Sequence, residues 1–114
     1  MITMYGIPNC DTIKKAKKWL EQTGIEFQFH DYRKQGIDQV LVQDFCQRFG
    51  WQQVLNKRGT TYRQLTQQQK DDLDESSAIS LLIEYPAMIK RPIVISATSG
   101  MIGFKAEQYA DFFK

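Results

Sequence analysis

The chain has 114 residues, 42% of them hydrophobic and 25% charged, which excludes a disordered, collagen-like or low-complexity chain. No apolar run approaches the ~20 residues of a membrane-spanning helix. A net charge of +2 makes no case for nucleic-acid binding, and one histidine with two cysteines cannot close a four-ligand zinc site.

These values predict one domain with a single core, no metal and no membrane association. Met1 to Tyr5 lacks the basic and apolar regions of a signal peptide. Two cysteines are too few for a disulfide scaffold, so reduced thiols and a cytoplasmic location are expected.

In chain order, Ile2 to Tyr5 alternates and ends at Gly6 and Pro8, as a short strand and its exit turn do. A helix follows, with Ile13, Ala16 and Leu20 on one face, Lys14, Lys15 and Lys18 on the other, and Gly24 as its C-terminal cap. Ile25, Phe27 and Phe29 alternate with Glu26, Gln28 and His30, the pattern of a second strand. Strand, helix and strand at this spacing predict a βαβ unit with parallel strands.

Asp38 then caps a helix with Leu41, Phe45 and Phe49 on one face, ended by Gly50. Asn56 to Thr61 reads as a turn centred on Gly59. Thr66 with Gln69 fits a capping box. Ile79, Leu82 and Ile83 mark a further helix stopped by Pro86. Ile93 to Ile95 is an apolar strand, Ser99-Gly100 a hairpin turn, Met101 to Phe104 the returning strand and Ala106 to Phe113 a last helix. The order predicts an α/β fold: a four-stranded mixed sheet flanked by helices, with an all-helical insertion. Its parts are residues 1–34 (βαβ), 35–90 (insertion) and 91–114 (ββα).

Cys10 falls between the first strand and the first helix. A thiol there faces unpaired backbone N–H groups and the positive end of the helix dipole, and both favour the nucleophilic thiolate. Lys14, one turn on, adds positive charge and Asp11 opposes it. The position equally suits a small buried residue at a strand end. Cys10-Asp11-Thr12-Ile13 supplies no neighbouring thiol, so a redox cycle from Cys10 needs an outside one. Cys46, beside an apolar stripe, reads as structural. Lys90-Arg91-Pro92 precedes a strand. With a cis bond before Pro92, main-chain groups would be presented to an extended peptide, and Arg91 would hold an anion over Cys10. A surface arginine at a turn is the alternative. The basic cluster Asn56 to Arg63 offers a second anion contact or a solvated loop.

Tyr5-Gly6-Ile7-Pro8-Asn9-Cys10-Asp11-Thr12, with Lys14-Lys15-Ala16, resembles the N-terminal motif of the arsenate reductase (ArsC) family. Tyr85 to Val94 resembles its late Pro-x-x-Ile-x-Arg-Pro-Ile segment. The resemblance covers the whole chain. Phe29-His30-Asp31-Tyr32, Gly59 to Arg63 and Gly103-Phe104-Lys105 are most like the YffB branch, to which the Spx regulators are related.

It implies a thioredoxin-like fold, a catalytic Cys10, an oxyanion-binding Arg91, a cis Arg91-Pro92 bond and a second basic residue at Arg58 or Lys57, with Arg58 preferred. The family's arsenate reductases have an arginine where this chain has Phe104-Lys105, His and Asn where it has Gly6 and Ile7, and Ser where it has Ile13. These departures direct the expectation to a thiol reductase. Glutathione is then the co-substrate, no cofactor is bound, and the substrate is an oxidised thiol or oxyanion. The alternatives are arsenate reduction and an Spx-like regulator of RNA polymerase, although Ile13 stands where those regulators carry the second cysteine of their switch. The Lys14, Lys15 and Lys18 face suits such a contact or a solvated helix.

Overall fold

A computed structural model describes residues 2–8, 10–97 and 99–113; Asn9 of the N-terminal motif lies outside them. The chain forms two compact units. One combines Met1–Gln35 with Arg91–Lys114, and the other is Gly36–Lys90.

The first unit holds a four-stranded sheet. Its strands are β1 (Thr3–Gly6), β2 (Gln28–Asp31), β3 (Ile93–Ile95) and β4 (Gly100–Ile102), in the spatial order β2-β1-β3-β4. β1 pairs parallel with β2 and antiparallel with β3, and β4 returns antiparallel along β3. The parallel pair requires a crossover, which α1 (Asp11–Thr23) supplies.

Period-two alternation sorts the sheet into two faces. Met4 stands between Phe29 and Val94, and Met101 continues the row. This face packs with Ile13, Ala16 and Leu20 of α1 and with Tyr109 of α8 (Ala106–Phe112) into one apolar cluster. Burying each large apolar side chain there contributes about 1.5–3 kcal/mol. Lys14, Lys15 and Lys18 remain exposed, as the helical period predicts, while Lys17 lies over the Phe29 ring at 3.7 Å. Gly24 takes the left-handed conformation (φ 77°) that ends α1, and its N–H reaches back to the Leu20 and Glu21 carbonyls.

α8 is held by aromatic contacts and one polar tie. Trp19, Phe104 and Phe113 surround the Tyr109 ring with centroids 5.5, 4.8 and 5.8 Å away. The Tyr109 hydroxyl donates to the Gly103 carbonyl at 2.9 Å. Gly103 in turn donates its N–H to the Pro92 carbonyl at 2.8 Å. Tyr109, Gly103 and Pro92 thus link the last helix to the entry of β3.

The second unit is helical, with α2 (Tyr32–Gln35) leading into it from the first. It comprises α3 (Gln39–Phe49), α4 (Trp51–Val54), α5 (Thr60–Arg63), α6 (Gln67–Asp71), α7 (Glu75–Glu84) and a 3-10 turn at Pro86–Met88. Asp38 caps α3 by accepting from Leu41 N–H at 2.9 Å, and Thr66 with Gln69 forms the expected capping box. Asp74 and Ser77 form a second box at the start of α7. α3 packs on α7. Leu55 bridges Ile89, flanked by bonds from Asn56 N–H to the Met88 carbonyl and from Lys90 N–H to the Val54 carbonyl, both 2.8 Å.

Several details differ from the expected pattern, among them β1, which runs Thr3–Gly6, and β4, which ends at Ile102. β2 begins at Gln28, because Ile25 N–H is engaged by the Leu20 carbonyl in the cap of α1. The buried face of α3 is Val42, Phe45 and Cys46, with Leu41 and Phe49 only half-buried. On α7 the fully buried set is Ala78, Leu81 and Leu82, while Ile79 and Ile83 line an open hollow with Gln39, Gln43 and Gln47. The hairpin turn lies between Ile95 and Gly100, where Ser96 N–H donates to the Ser99 carbonyl at 2.8 Å, and Gly100 already belongs to β4.

Candidate active site

Cys10 is the N-cap of α1. Its backbone is extended (φ −98°, ψ 131°), and Lys14 N–H donates to its carbonyl at 3.0 Å, closing the first helical turn. The carbonyl is therefore spent on the helix, while the side chain faces the N–H groups that the first turn leaves unpaired. Burial pushes the half-buried thiol up. It is outweighed by hydrogen bonds from the Ile13 N–H, the Arg91 side chain and the Thr12 N–H, with the Arg91 charge adding to them. The net result is a thiol below its ordinary value. Both hydrogen-bond donors and the helix end stabilise the same species, the thiolate.

Arg91 reaches Cys10 because the chain ends that carry them meet beside β1. Tyr5 pairs with Ile93, so the residues before β3 lie against the end of β1. Gly6 makes the approach possible. A Cβ on Gly6 would stand 2.5 Å from Ile13 Cδ1 and 3.7 Å from Arg91 Cβ. Ile13 is fully buried in the space that a side chain at position 6 would need. The Arg91-Pro92 bond is cis. Pro92 is buried, and its carbonyl is occupied by Gly103 N–H, so that group is not presented to a peptide.

Lys14 is exposed, and its main-chain N–H donates to the Cys10 carbonyl. Lys57 and Arg58 are exposed on a turn of the second unit, where Arg58 N–H donates to Asn56 Oδ1 at 3.1 Å. Cys46 is buried in α3, and burial together with the Glu75 charge raises its thiol. Among the described residues no group of His, Cys, Asp and Glu converges to hold a metal ion.

One neighbour was missed by the pattern reading. Tyr32, the first residue of α2, is 4% exposed. Its ring lies 6.0 Å from that of His30, which lies 5.1 Å from that of Tyr5. The phenol is raised far above its usual range, first by burial and then by Tyr5, with the Arg91 charge acting in the opposite sense. Strand alternation gives no sign of this burial, because it places Tyr32 with Glu26, Gln28 and His30, and Tyr32 already belongs to α2.

The ArsC family model matches residues 5–112. The chain belongs to the ArsC family. A Haemophilus influenzae protein is 47% identical over 113 residues, covering 99% of both chains. A solved structure of a YffB protein superposes with a TM-score of 0.93 at 45% identity, over 97% of each chain. The global transcriptional regulator Spx of Streptococcus pneumoniae is 26% identical over 114 residues, covering 98% of this chain and 85% of its own. The ArsC architecture is thioredoxin-like, and its oxidoreductase character accords with a thiol whose acidity is raised by its surroundings. No helix among the described residues is long and apolar enough to cross a membrane.

Proposed function

We propose that this ArsC-family protein is a thiol reductase that works through Cys10 and borrows its second thiol from glutathione. The carrying observation is the lowered Cys10 thiol, held by two helix N–H groups and Arg91. The Cys10 thiolate attacks the glutathionyl sulfur of a mixed disulfide. The old S–S bond breaks, the substrate leaves as a thiolate, and Cys10 carries glutathione. A second glutathione thiolate attacks that sulfur, releases the Cys10 thiolate and leaves as oxidised glutathione. Arg91 pairs with the carboxylate of the incoming molecule, Lys14 adds positive charge at the helix end, and Pro92 shapes the edge of the site. The reducing cytoplasm supplies the glutathione that this cycle consumes.

Ile13 separates this reading from arsenate reduction. Its side chain is buried against Gly6, so position 13 offers no hydroxyl to an oxyanion. An arsenate group needs several fixed donors to offset its charge. A coupled assay with glutathione and arsenate, with Cys10→Ser as control, should therefore show little turnover. The kinship with Spx supports a regulatory alternative, which recovery of a stoichiometric RNA polymerase complex would favour.

The deciding experiment is mass spectrometry of the protein after incubation with oxidised glutathione. Cys10 should carry the adduct and Cys46 should remain free. Absence of an adduct on Cys10, together with an alkylation midpoint at or above ~8.5, would sink the proposal.

A further inference from the structure

The Tyr32 hydroxyl is fully buried and has no hydrogen-bond partner among the described residues. Leaving a buried polar group unsatisfied costs about 1–3 kcal/mol, and such groups in native proteins call for a reason. Tyr32 follows Asp31, the β2 partner of Gly6, and Gly6 is the residue against which Arg91 packs. The phenol therefore stands at the ends of the parallel strands β1 and β2, beside the arginine that bonds Cys10. Its ring is fixed by the row Tyr5, His30 and Tyr32. Position and orientation are set by packing, and only the hydroxyl lacks an answering group.

We propose that the Tyr32 hydroxyl is a substrate-binding donor that acts with Arg91 on one anionic oxygen, a carboxylate or an inorganic oxyanion, bound next to Cys10. This rests on the reading of Cys10 and Arg91 as the reactive pair. Arg91 supplies charge and the phenol supplies an O–H aligned in advance. A hydrogen bond to a charged oxygen satisfies the phenol and strengthens the grip of the arginine. Because the phenol oxygen is buried, the half-buried Arg91 side chain has to shift with the anion as it enters. The pair thus favours a ligand with a concentrated negative charge over a neutral thiol of the same size.

The test uses Tyr32→Phe, which keeps the ring and removes the oxygen. Cys10 is alkylated with iodoacetamide at fixed ionic strength, in chloride alone, with sulfate added, or with S-methylglutathione added. S-methylglutathione carries the carboxylates but cannot form a disulfide. In the wild type one of the two additives should slow alkylation, and which one does so identifies the source of the oxygen. Tyr32→Phe should need about tenfold more of it.

The alkylation midpoint in chloride should be the same in both proteins, since the Thr12 and Ile13 N–H groups and Arg91 set it. The ligand-free variant should melt no lower than the wild type, because the lost hydroxyl had no partner, while its stabilisation by the additive should shrink. Equal protection of the two proteins would overturn the proposal, as would no protection of the wild type by either additive. A midpoint shifted by Tyr32→Phe would also overturn it, by making Tyr32 a positioning residue for Arg91. A wild-type midpoint at the ordinary thiol value is a separate result and would count against the reductase reading instead.

Discussion

Arg91 acts on the Cys10 thiol in two ways, as a hydrogen-bond donor and as a nearby positive charge. Arg91→Ala should therefore move the Cys10 alkylation midpoint upward and slow adduct formation with oxidised glutathione at neutral pH. Arg91→Lys should recover the charge but only part of the rate, since an ammonium lacks the planar fork of guanidinium. The sign of the linkage adds a stability test. The folded thiol lies below its unfolded value, so its contribution is present above the unfolded value and is lost as pH falls through the folded one. Cys10→Ser should thus destabilise the protein more at pH ~9 than at pH ~6, in thermal melts at matched ionic strength. Equal effects at the two pH values would mean that the helix end does not stabilise the thiolate.

Close packing of Gly6 against α1 is a property of elements, because it sets how near the end of β1 comes to the start of the helix. Gly6→Ala drives a Cβ into Ile13. It should cost about 1–3 kcal/mol in chemical denaturation, as overpacked cores do. Ile13→Val removes the Cδ1 that is struck first, so the double variant should recover part of that loss. Additive effects in the double-mutant cycle would contradict the contact. At the start of α6, Thr66→Ala removes a side-chain acceptor for Gln69 N–H and should cost about 1 kcal/mol.

The same scale explains what the sequence made legible. α1 was readable because Ile13, Ala16 and Leu20 repeat at the helical period and Gly24 ends them. Cys10 at the helix start followed from that boundary. On α3 the sequence offers Leu41, Phe45 and Phe49 as good a stripe as Val42, Phe45 and Cys46, and tertiary packing chooses the second. Arg91 over Cys10 is one of two readings of Lys90-Arg91-Pro92, and the resemblance favours it over a surface arginine, since no local rule pairs residues so far apart in a chain. Tyr32 stands in a motif of the resemblance, but its burial is not legible, because alternation sets it with polar Glu26, Gln28 and His30. The close approach at Gly6 left no mark of its own, as a glycine after a strand reads as a turn.

At the scale of the whole molecule, buried phenols make the fold sensitive to alkali. Tyr32 and Tyr109 are both raised by burial, so each stays protonated in the folded protein above its usual value of 10.0. Their contribution is complete below that value and is lost as pH rises, because the unfolded chain releases the protons first. Denaturation midpoints should fall steeply above pH ~10, by about 1.4 kcal/mol per pH unit for each phenol held neutral. Tyr32→Phe should flatten that fall without lowering stability at neutral pH. An unchanged slope would show that Tyr32 ionises freely.

The first unit is made from both ends of the chain, with β1 seated between a strand from the same end and a strand from the other. This order has a consequence during synthesis. Cys10 leaves the ribosome early, and the helix that follows can supply its N–H groups at once. Arg91 is added only after the entire Gly36–Lys90 segment, and β3 must then join β1 to bring it alongside. Until that moment the nascent thiol lacks both the donor and the charge that Arg91 brings. The growing chain therefore carries a thiol that only the helix end can stabilise, and closure of the sheet adds the share that belongs to Arg91.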